Sequence, residues 1–449
     1  MNNRIRGILP RSTRRRRILF VGEGVSLAHV GRPLELACAL DPAGFEVIFA
    51  SAEKYRPLAE KAGFEFHPLP TLDSGEFLRR LSRGDALYDR GTIAKYVASE
   101  RILLARIRPD LAVGDFRVSL PVSAALAGVP CATLCNAHWS PYSALKKFPA
   151  PELPVTRILG PALGGWLVKM FAPLAFRLQA RGYNTIRREH GLPPVRDIRE
   201  MYTAGDWTLY PDLPDMAPTR DLPRHHRYLG PVAWSPDVPL PDGWADVRKR
   251  GMPIVYVTAG SSGDTDVLGR LLDALATLPV TVALATAGRG SPGVLPPNVF
   301  AADYMPGREV LRESALCVMN GGAATGYQAF SEGVPVLALP SNADQFYFAG
   351  AAQRAGAGLL LRPSTATPAA LTAAAARLLE DPSFRRAALR IRAEIAALPP
   401  GDEFARFVKG IFPEYGVPSI HHSIFQVSSS GGVSAIHDPR STLPDRRMP

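Results

Sequence analysis

Residues 316–345, LCVMNGGAATGYQAFSEGVPVLALPSNADQ, combine groups suited to a phosphate with groups suited to a sugar. Gly321 and Gly322 carry no side chain that would keep a ligand from the backbone, and a predicted helix follows them directly. The first N–H groups of that helix and its positive dipole end suit a diphosphate. Asp344 and Gln345, after the next predicted strand, suit the hydroxyl groups of a sugar. Together these residues predict a nucleotide-sugar site.

A second pair of residues could move a proton. His29 lies in the loop after the first predicted strand, and Asp115 follows the buried strand predicted at 111–114. A histidine that is oriented by a carboxylate can take a proton from an acceptor hydroxyl group. Because both residues follow parallel strands of one predicted domain, we expect them to face the same cleft.

Other roles remain open for these residues. His29 could cap the helix that follows it, and Asp115 could cap the helix predicted at 119–127. His138 also follows a buried strand and is a rival base, although a place in the acceptor pocket beside Trp139 suits it better.

The elements that must position these groups alternate between strand and helix. This alternation predicts an α/β fold with parallel sheets covered on both faces. It stops at the proline-rich stretch 212–243, for which neither helix nor strand is predicted, and then restarts. We therefore expect two doubly wound, Rossmann-like domains that face each other across a cleft. The predicted parts are a basic flexible extension (1–17), an N-terminal acceptor-binding domain (18–212), a proline-rich linker (213–250), a C-terminal nucleotide-sugar-binding domain (251–412) whose last helix could pack back on the first domain, and a disordered tail (413–449).

Composition and charge narrow the function further. The net charge is +11, but residues 1–17 hold seven arginines and no acid, so the remaining chain has a charge of only +4. This distribution argues against nucleic-acid binding. The basic start could contact anionic lipid, although a solvated extension is the preferred interpretation, and it lacks the apolar core of a signal peptide. Four cysteines without metal-ligand spacing favour reduced thiols in a cytoplasmic protein.

The segment at 158–176, ILGPALGGWLVKMFAPLAF, is almost free of charge. Its two prolines and three glycines make it a poor membrane-spanning helix. We favour a helix that lines an apolar acceptor pocket or rests on a membrane surface. A buried core helix is the alternative.

The motifs, taken in order, resemble those of the UDP-glucuronosyl/UDP-glucosyltransferase superfamily, which comprises inverting glycosyltransferases with the glycosyltransferase-B fold. The resemblance covers roughly residues 18–412 and is strongest at 254–361. The family's His-Gly-Gly-x-Gly-Thr turn corresponds to 320–325, and its Gly-Val-Pro and Asp-Gln motifs are present unchanged. The loop at 259–262 resembles the Gly-Ser loop near the donor phosphates, and 304–306 resembles the aromatic-x-Pro segment beside the base.

Three departures from the family pattern concern the donor. Asn320 replaces the turn histidine and can donate a hydrogen bond but cannot become a cation. Ala324 replaces a glycine, and Gln328 replaces a glutamate that bonds to the ribose. The catalytic motif His-x-x-Pro is one residue longer here, from His29 to Pro33.

The resemblance implies a metal-independent, inverting transfer of a hexose from a nucleotide-diphosphate sugar, UDP-linked as in the family, to a small lipophilic acceptor. It implies no cofactor, no metal and a monomer or weak dimer, with peripheral membrane contact left open. A nucleotide-sugar 2-epimerase-like enzyme and a catalytically silent sugar-nucleotide-binding partner protein are the alternatives. The implied residues are His29 and Asp115 for catalysis; Gly260, Ser261, Ser262, Tyr304, Asn320, Gly321, Gly322, Ala323, Thr325, Gln328, Asp344 and Gln345 for the donor; and His138 and Trp139 for the acceptor.

Overall fold

Two parallel β-sheets form the framework of the computed structural model, which describes residues 14–145, 150–236, 238–258, 266–288, 290 and 293–412. The first sheet has the strand order β3-β2-β1-β4-β5-β6-β7, and all neighbouring strands are parallel. Its strands are mostly short apolar runs that are buried on both faces, as parallel strands require. They are β1 (Arg16–Gly22), β2 (Phe45–Ser51), β3 (Glu65–Pro68), β4 (Leu111–Asp115), β5 (Cys131–Leu134), β6 (Trp207–Tyr210) and β7 (His226–Tyr228).

The second sheet is built in the same way from the C-terminal half. Its order is β10-β9-β8-β11-β12-β13, again with every neighbouring pair parallel. The expected fold class, two doubly wound α/β domains, is confirmed. The strands are β8 (Ile254–Thr258), β9 (Thr281–Ala285), β10 (Val299–Ala302), β11 (Ser314–Met319), β12 (Val336–Ala338) and β13 (Gly358–Leu360).

Helices cover both faces of the first sheet, and separate apolar clusters lie on its two sides. The helices are α1 (Ala28–Cys38), α2 (Arg56–Lys61), α3 (Ser74–Arg83), α4 (Arg90–Ile107), α5 (Leu120–Ala127), α6 (Pro154–Ile158), α7 (Gly160–Gln179), α8 (Arg181–Glu189) and α9 (Ile198–Tyr202), with 3-10 helices at Glu53–Tyr55 and Ala137–Trp139.

The second sheet is likewise sandwiched between helices. They are α10 (Trp244–Lys249), α11 (Asp266–Ala276), α12 (Gly307–Arg312), α13 (Ala323–Ser331), α14 (Ala343–Arg354), α15 (Pro368–Glu380), α16 (Pro382–Ala397) and α17 (Pro400–Ile411).

The first predicted boundary differs from the structure. β1 begins at Arg16, because Asp110 accepts hydrogen bonds from the Arg16 side chain (2.9 Å) and the Arg17 backbone N–H (2.8 Å). Two residues assigned to the basic extension therefore belong to the first sheet. Residues 1–13 and the tail at 413–449 lie outside the described residues.

For residues 212–243 the proline content predicts no regular structure, and this prediction is wrong at β7. Proline removes only its own N–H, and the proline-free residues 226–228 remain able to pair with a neighbouring strand. They do so at the edge of the first sheet, where Thr208 lies opposite His226 and Tyr210 opposite Tyr228.

The segment at 158–176 forms the end of α6 and most of α7. Gly164 permits the close contact between these two helices, since a Cβ there would lie 2.6 Å from the Val155 carbonyl oxygen. The interpretation of 158–176 as a buried core helix is wrong, because Trp166 and several other apolar side chains are exposed. In the part of the chain that is described, no helix has the length and apolar character needed to cross a membrane.

The last helix crosses back to the first domain. Phe404 and Phe407 of α17 are buried in the core of that domain, and the rings of Phe404 and Phe20 are 5.6 Å apart. The ring of Trp207 lies 5.8 Å from that of Phe407. Helix α17 therefore connects the second domain to the core of the first domain, whose sheet positions His29 and Asp115.

We expect Phe404→Ala to lower the free energy of unfolding by about 3–5 kcal/mol, because it leaves a cavity in a fully buried position. Urea unfolding followed by tryptophan fluorescence would measure this change, with Trp207 as a nearby reporter. Arg406→Ala, at an exposed site on the same helix, is the matched control and should change stability by less than about 1 kcal/mol. Equal effects of the two substitutions would contradict this packing.

Candidate active site

A cavity of about 1060 Å³ lies between the two domains. It is lined by residues that follow β1, β4 and β5 of the first sheet and by residues that follow β11 and β12 of the second. Ligands of open parallel sheets bind beyond the carboxyl ends of the strands, and this cavity occupies that position in both domains.

His29 and Asp115 meet at one end of this cavity. The Nδ1 atom of His29 lies 3.0 Å from Oδ1 of Asp115, and the carboxylate is fully buried. The His29 ring stacks on Phe116, with centroids 4.4 Å apart. Since the carboxylate is the natural acceptor for Nδ1–H, this arrangement leaves the Nε2 lone pair available to accept a proton. The two residues are therefore in contact, and their catalytic roles stay predictions.

The capping roles left open for these two residues are not observed. The cap position of α1 is Leu27 and that of α5 is Ser119, and neither helix has a side-chain cap. Neither His29 nor Asp115 caps a helix, and the two side chains contact each other instead.

Arg32 is the site residue that the sequence argument missed. Its Nε donates to Oδ2 of Asp115 (2.8 Å), and its Nη2 donates to Oδ1 (2.7 Å). Nη2 also lies 3.1 Å from Nδ1 of His29. Burial opposes the charge of Arg32, but the attraction of Asp115 outweighs it and raises the pKa of the guanidinium. The signal was the longer His29–Pro33 spacing, which places an arginine three residues after the histidine on one helix face.

A buried chain of hydrogen bonds leads from Arg32 to the second domain. Nη1 of Arg32 donates to Oδ1 of Asn136 (3.0 Å), and Nδ2 of Asn136 donates to Oδ1 of Asp212 (3.0 Å). The same Asp212 oxygen accepts from the hydroxyl of Tyr327 on α13 (3.2 Å). Burial raises the pKa of Tyr327 well above its ordinary value, so this hydroxyl stays protonated and donates.

The predicted phosphate turn connects β11 to α13. Gly321 has φ +84°, which favours glycine, and a Cβ there would lie 2.9 Å from the Gln345 carbonyl oxygen. Oδ1 of Asn320 accepts from the Gly322 N–H (3.0 Å) and so closes the turn. The first turn of α13 lines the cavity, and the first N–H groups of a helix have no partner within the helix. The cavity-lining residues of this turn are Asn320, Gly322, Ala323, Ala324 and Thr325.

The other predicted donor residues occupy different surroundings. The side-chain amide of Gln328 donates to the Trp234 carbonyl oxygen, and Tyr304 lies beside Gly288 with its side chain exposed. Neither Gln328 nor Tyr304 lines the cavity, so their contacts with a nucleoside stay predictions. Gly260, Ser261 and Ser262 lie outside the described residues.

Asp344 bridges the two domains. Its Oδ1 accepts from Nε2 of His138 (2.8 Å) and from Nε1 of Trp139 (2.8 Å). Partial removal from solvent acts to raise the pKa of Asp344, whose side chain stays 42% exposed, but the hydrogen bonds from His138 and Trp139 outweigh it and lower the pKa to about 2. His138 is therefore engaged with the predicted sugar-binding carboxylate and does not line the cavity, whereas Trp139 does. His138 is therefore a weaker candidate for the base than His29.

Gln345 is buried beneath the same loop. Its Oε1 accepts from the Ser341 N–H (2.8 Å), from the Ser341 hydroxyl (3.0 Å) and from the Asn342 N–H (3.4 Å). With Asn342 it forms the capping box of α14. The described contacts of Gln345 shape the loop that carries Asp344.

The remainder of the cavity is apolar and belongs to the first domain. Helices α3 and α7 face each other across it, and Phe116 and Tyr202 stack beside His29. Among the residues that the structure describes, no three His, Cys, Asp or Glu side chains cluster as a metal site would require. His29, the N-terminus of α13 and the apolar side chains of α3 and α7 thus line one cavity. The lining side chains of α3 and α7 include Phe77, Leu78, Leu81, Leu167, Val168, Phe171, Ala172, Ala175 and Phe176.

We expect Arg32→Leu to lower the free energy of unfolding by about 3–5 kcal/mol, because it removes one partner of a buried ion pair and leaves Asp115 with His29 alone. Arg32→Lys keeps the charge and should lose less, since only the two-point geometry is weakened. Chemical denaturation of both variants measures the difference. An Arg32→Leu protein as stable as the original would show that the Asp115 charge does not depend on Arg32.

Comparison with known proteins identifies the family. Residues 269–410 match the family described as "Erythromycin biosynthesis protein CIII-like, C-terminal domain". The chain is 45% identical to a PGL/p-HBAD biosynthesis glycosyltransferase of Mycobacterium tuberculosis over 89% of this chain and 92% of that protein. It is 44% identical to a PGL/p-HBAD biosynthesis rhamnosyltransferase of Mycobacterium bovis over 85% and 84% of the two chains.

A solved structure supports the fold independently. The spinosyn rhamnosyltransferase SpnG, complexed with thymidine diphosphate, is 21% identical with a TM-score of 0.63, over 88% of this chain and all of that one. The fold, the order of motifs and the 44–45% identity to glycosyltransferases over most of the chain agree. The chain is a glycosyltransferase and belongs to the UDP-glucuronosyl/UDP-glucosyltransferase superfamily.

Proposed function

We propose that this glycosyltransferase is inverting and metal-independent, and that it moves a hexose from a nucleotide-diphosphate sugar to a hydroxyl group of a small lipophilic acceptor. The observation that carries the proposal is the contact between His29 and the buried Asp115 at the wall of a cavity that also receives the N-terminus of α13. A base and a diphosphate site in one chamber are what a direct displacement needs.

In the proposed reaction, Nε2 of His29 takes the proton of the acceptor hydroxyl as its oxygen attacks the anomeric carbon. The bond between that carbon and the diphosphate breaks on the opposite side, so the configuration inverts. N–H groups of α13 and the hydroxyl of Thr325 stabilise the charge that develops on the leaving diphosphate. Asp344 accepts hydrogen bonds from sugar hydroxyls through Oδ2, the oxygen that His138 and Trp139 do not occupy.

The sugar and the nucleotide are finer parts of this proposal. A relative at 44% identity is named a rhamnosyltransferase, which makes rhamnose the first sugar to test and a component of PGL/p-HBAD biosynthesis the first acceptor class. We propose a UDP-linked donor from the family pattern, with a thymidine diphosphate donor as the comparison, because the SpnG structure contains thymidine diphosphate. We place the reaction in the cytoplasm, at or near a membrane.

The apolar half of the cavity bears on the alternative functions. A nucleotide-sugar 2-epimerase-like enzyme has no second substrate and would need acids in the cleft rather than a large apolar chamber. The chamber between α3 and α7 therefore favours transfer to an acceptor over epimerisation. A silent sugar-nucleotide binder would keep the donor site and lack turnover, and a donor hydrolysis assay separates that function from transfer.

We expect His29→Ala to slow nucleoside diphosphate release from the donor by about 10²-fold or more, which is the usual contribution of a general base. The purified protein would be incubated with UDP-glucose and with UDP- and TDP-rhamnose, and the released nucleotide would be measured. His190→Ala, remote from the cavity, is the control and should release nucleotide at the original rate. Donor binding, followed by calorimetry, should survive in both variants.

Two results of that assay would contradict the proposal. Full activity of His29→Ala would assign the base elsewhere. Tight donor binding by the original protein, without release and without transfer to any acceptor tried, would favour the silent binder.

We expect excess EDTA to leave the release rate unchanged, because the proposed diphosphate contacts are backbone N–H groups and neutral side chains. The rate would be measured before and after chelation, and again after addition of Mg²⁺. A rate that falls with EDTA and returns with Mg²⁺ would refute the metal-independent mechanism.

A further inference from the structure

Helix α7 presents an apolar stripe to solvent. Of the 13 large apolar side chains that are exposed in the described part of the chain, eight lie between Ile158 and Leu178. Five of them follow one another at intervals of three or four residues and so share one face of α7. A contiguous exposed patch of this kind marks an interaction surface. The stripe consists of Leu163, Trp166, Met170, Leu174 and Leu178, each 48–57% exposed.

The other side of the same helix lines the cavity. Leu167, Val168 and Ala172 line the apolar chamber from a different face of α7 than the stripe. Phe171 belongs to both sides, because it lines the chamber and is also 53% exposed. The chamber therefore reaches the surface beside the stripe at Phe171.

The charged side chains of the segment 153–188 are all basic. No Asp or Glu occurs from residue 153 to residue 188. Lys169 and Arg177 are exposed on α7, three residues after Trp166 and Leu174 of the stripe. Neither forms an ion pair with any described residue. A helix with Trp and Leu on its face and cations beside it is typical of segments that lie in the interface of an anionic bilayer.

We propose that the stripe on α7 docks on the surface of an anionic lipid bilayer and that a lipophilic acceptor enters the chamber from the bilayer past Phe171. This proposal rests on the proposed function in taking the acceptor to be lipophilic. A second copy of the chain fits the face less well, because two such faces would bring Lys169 and Arg177 of both copies together and α7 itself has no acid to neutralise them.

Vesicle co-sedimentation tests the docking directly. The full chain would be mixed with phosphatidylcholine vesicles, with or without phosphatidylglycerol. We expect binding to the mixed vesicles, weakened by salt, and about tenfold or more weaker binding by Trp166→Ser/Met170→Ser/Leu174→Ser. The matched control is Ile102→Ser/Leu389→Ser, two exposed apolar residues outside the stripe, which should bind like the original chain.

A second measurement separates this proposal from the proposed function. The three substituted stripe residues do not line the cavity, so donor hydrolysis in solution should continue at the original rate in the triple variant. Loss of vesicle binding with unchanged hydrolysis supports the docking surface. Vesicle binding that is equal in the original, triple and control variants would overturn it, whatever the hydrolysis assay shows.

The second copy is tested in the same set of proteins. Sedimentation velocity without lipid would show whether the chain dimerises through this face. The lipid proposal would be overturned if the original chain is a dimer that does not bind vesicles and the triple variant is a monomer. The stripe would then be a self-association surface.

Discussion

The buried carboxylate of Asp115 is the group on which the rest of the site depends. A carboxylate without solvent is costly unless its charge is matched and its oxygens accept hydrogen bonds. Arg32 supplies the charge and two hydrogen bonds, and His29 supplies a third. All three side chains are held at the carboxyl ends of the adjacent strands β1 and β4, where Gly22 pairs with Asp115. The position of the proposed base thus follows from the need to satisfy one buried charge.

The need to satisfy buried polar groups also connects the two domains. Arg32 has more donors than Asp115 can accept, and its Nη1 bonds to Asn136, which bonds in turn to Asp212. Asp212 also accepts a hydrogen bond from Tyr327 on α13, the helix whose N-terminus forms the proposed diphosphate site. The hydrogen-bond chain therefore runs from the base to the donor helix through buried side chains only. A change in the position of α13 on donor binding would be transmitted towards Arg32, because Asp212 and Tyr327 are almost fully buried and the loss of their hydrogen bond would leave buried polar groups unpaired.

The sequence predicted the parts of this arrangement that depend on local pattern. Apolar strands, the small-residue turn before α13, and the positions of His29 and Asp115 after parallel strands all follow from periodicity and topology. Arg32 was missed because a buried arginine is identified by its partner, and that partner lies 83 residues away. β7 was missed because each proline removes only its own N–H group. The proline-free residues of β7 keep theirs and can pair with a neighbouring strand. The contact of His138 with Asp344 joins two domains, and no local pattern encodes the distance between them.

The contact between His138 and Asp344 also bears on which donor sugar can enter the cleft. Oδ1 of Asp344 is held by His138 and Trp139 of the other domain, so the cleft is bridged at the proposed sugar position. A donor sugar that bonds only to Oδ2 can enter with the bridge intact, and Trp139 would then form a wall shared by sugar and acceptor. A sugar that needs both oxygens must break two hydrogen bonds to a charged group, which stabilise by roughly 1.5–3 kcal/mol each. On the proposed function, the bridge would favour a sugar with few hydroxyl groups near Asp344, because His138 and Trp139 already occupy one of its two oxygens.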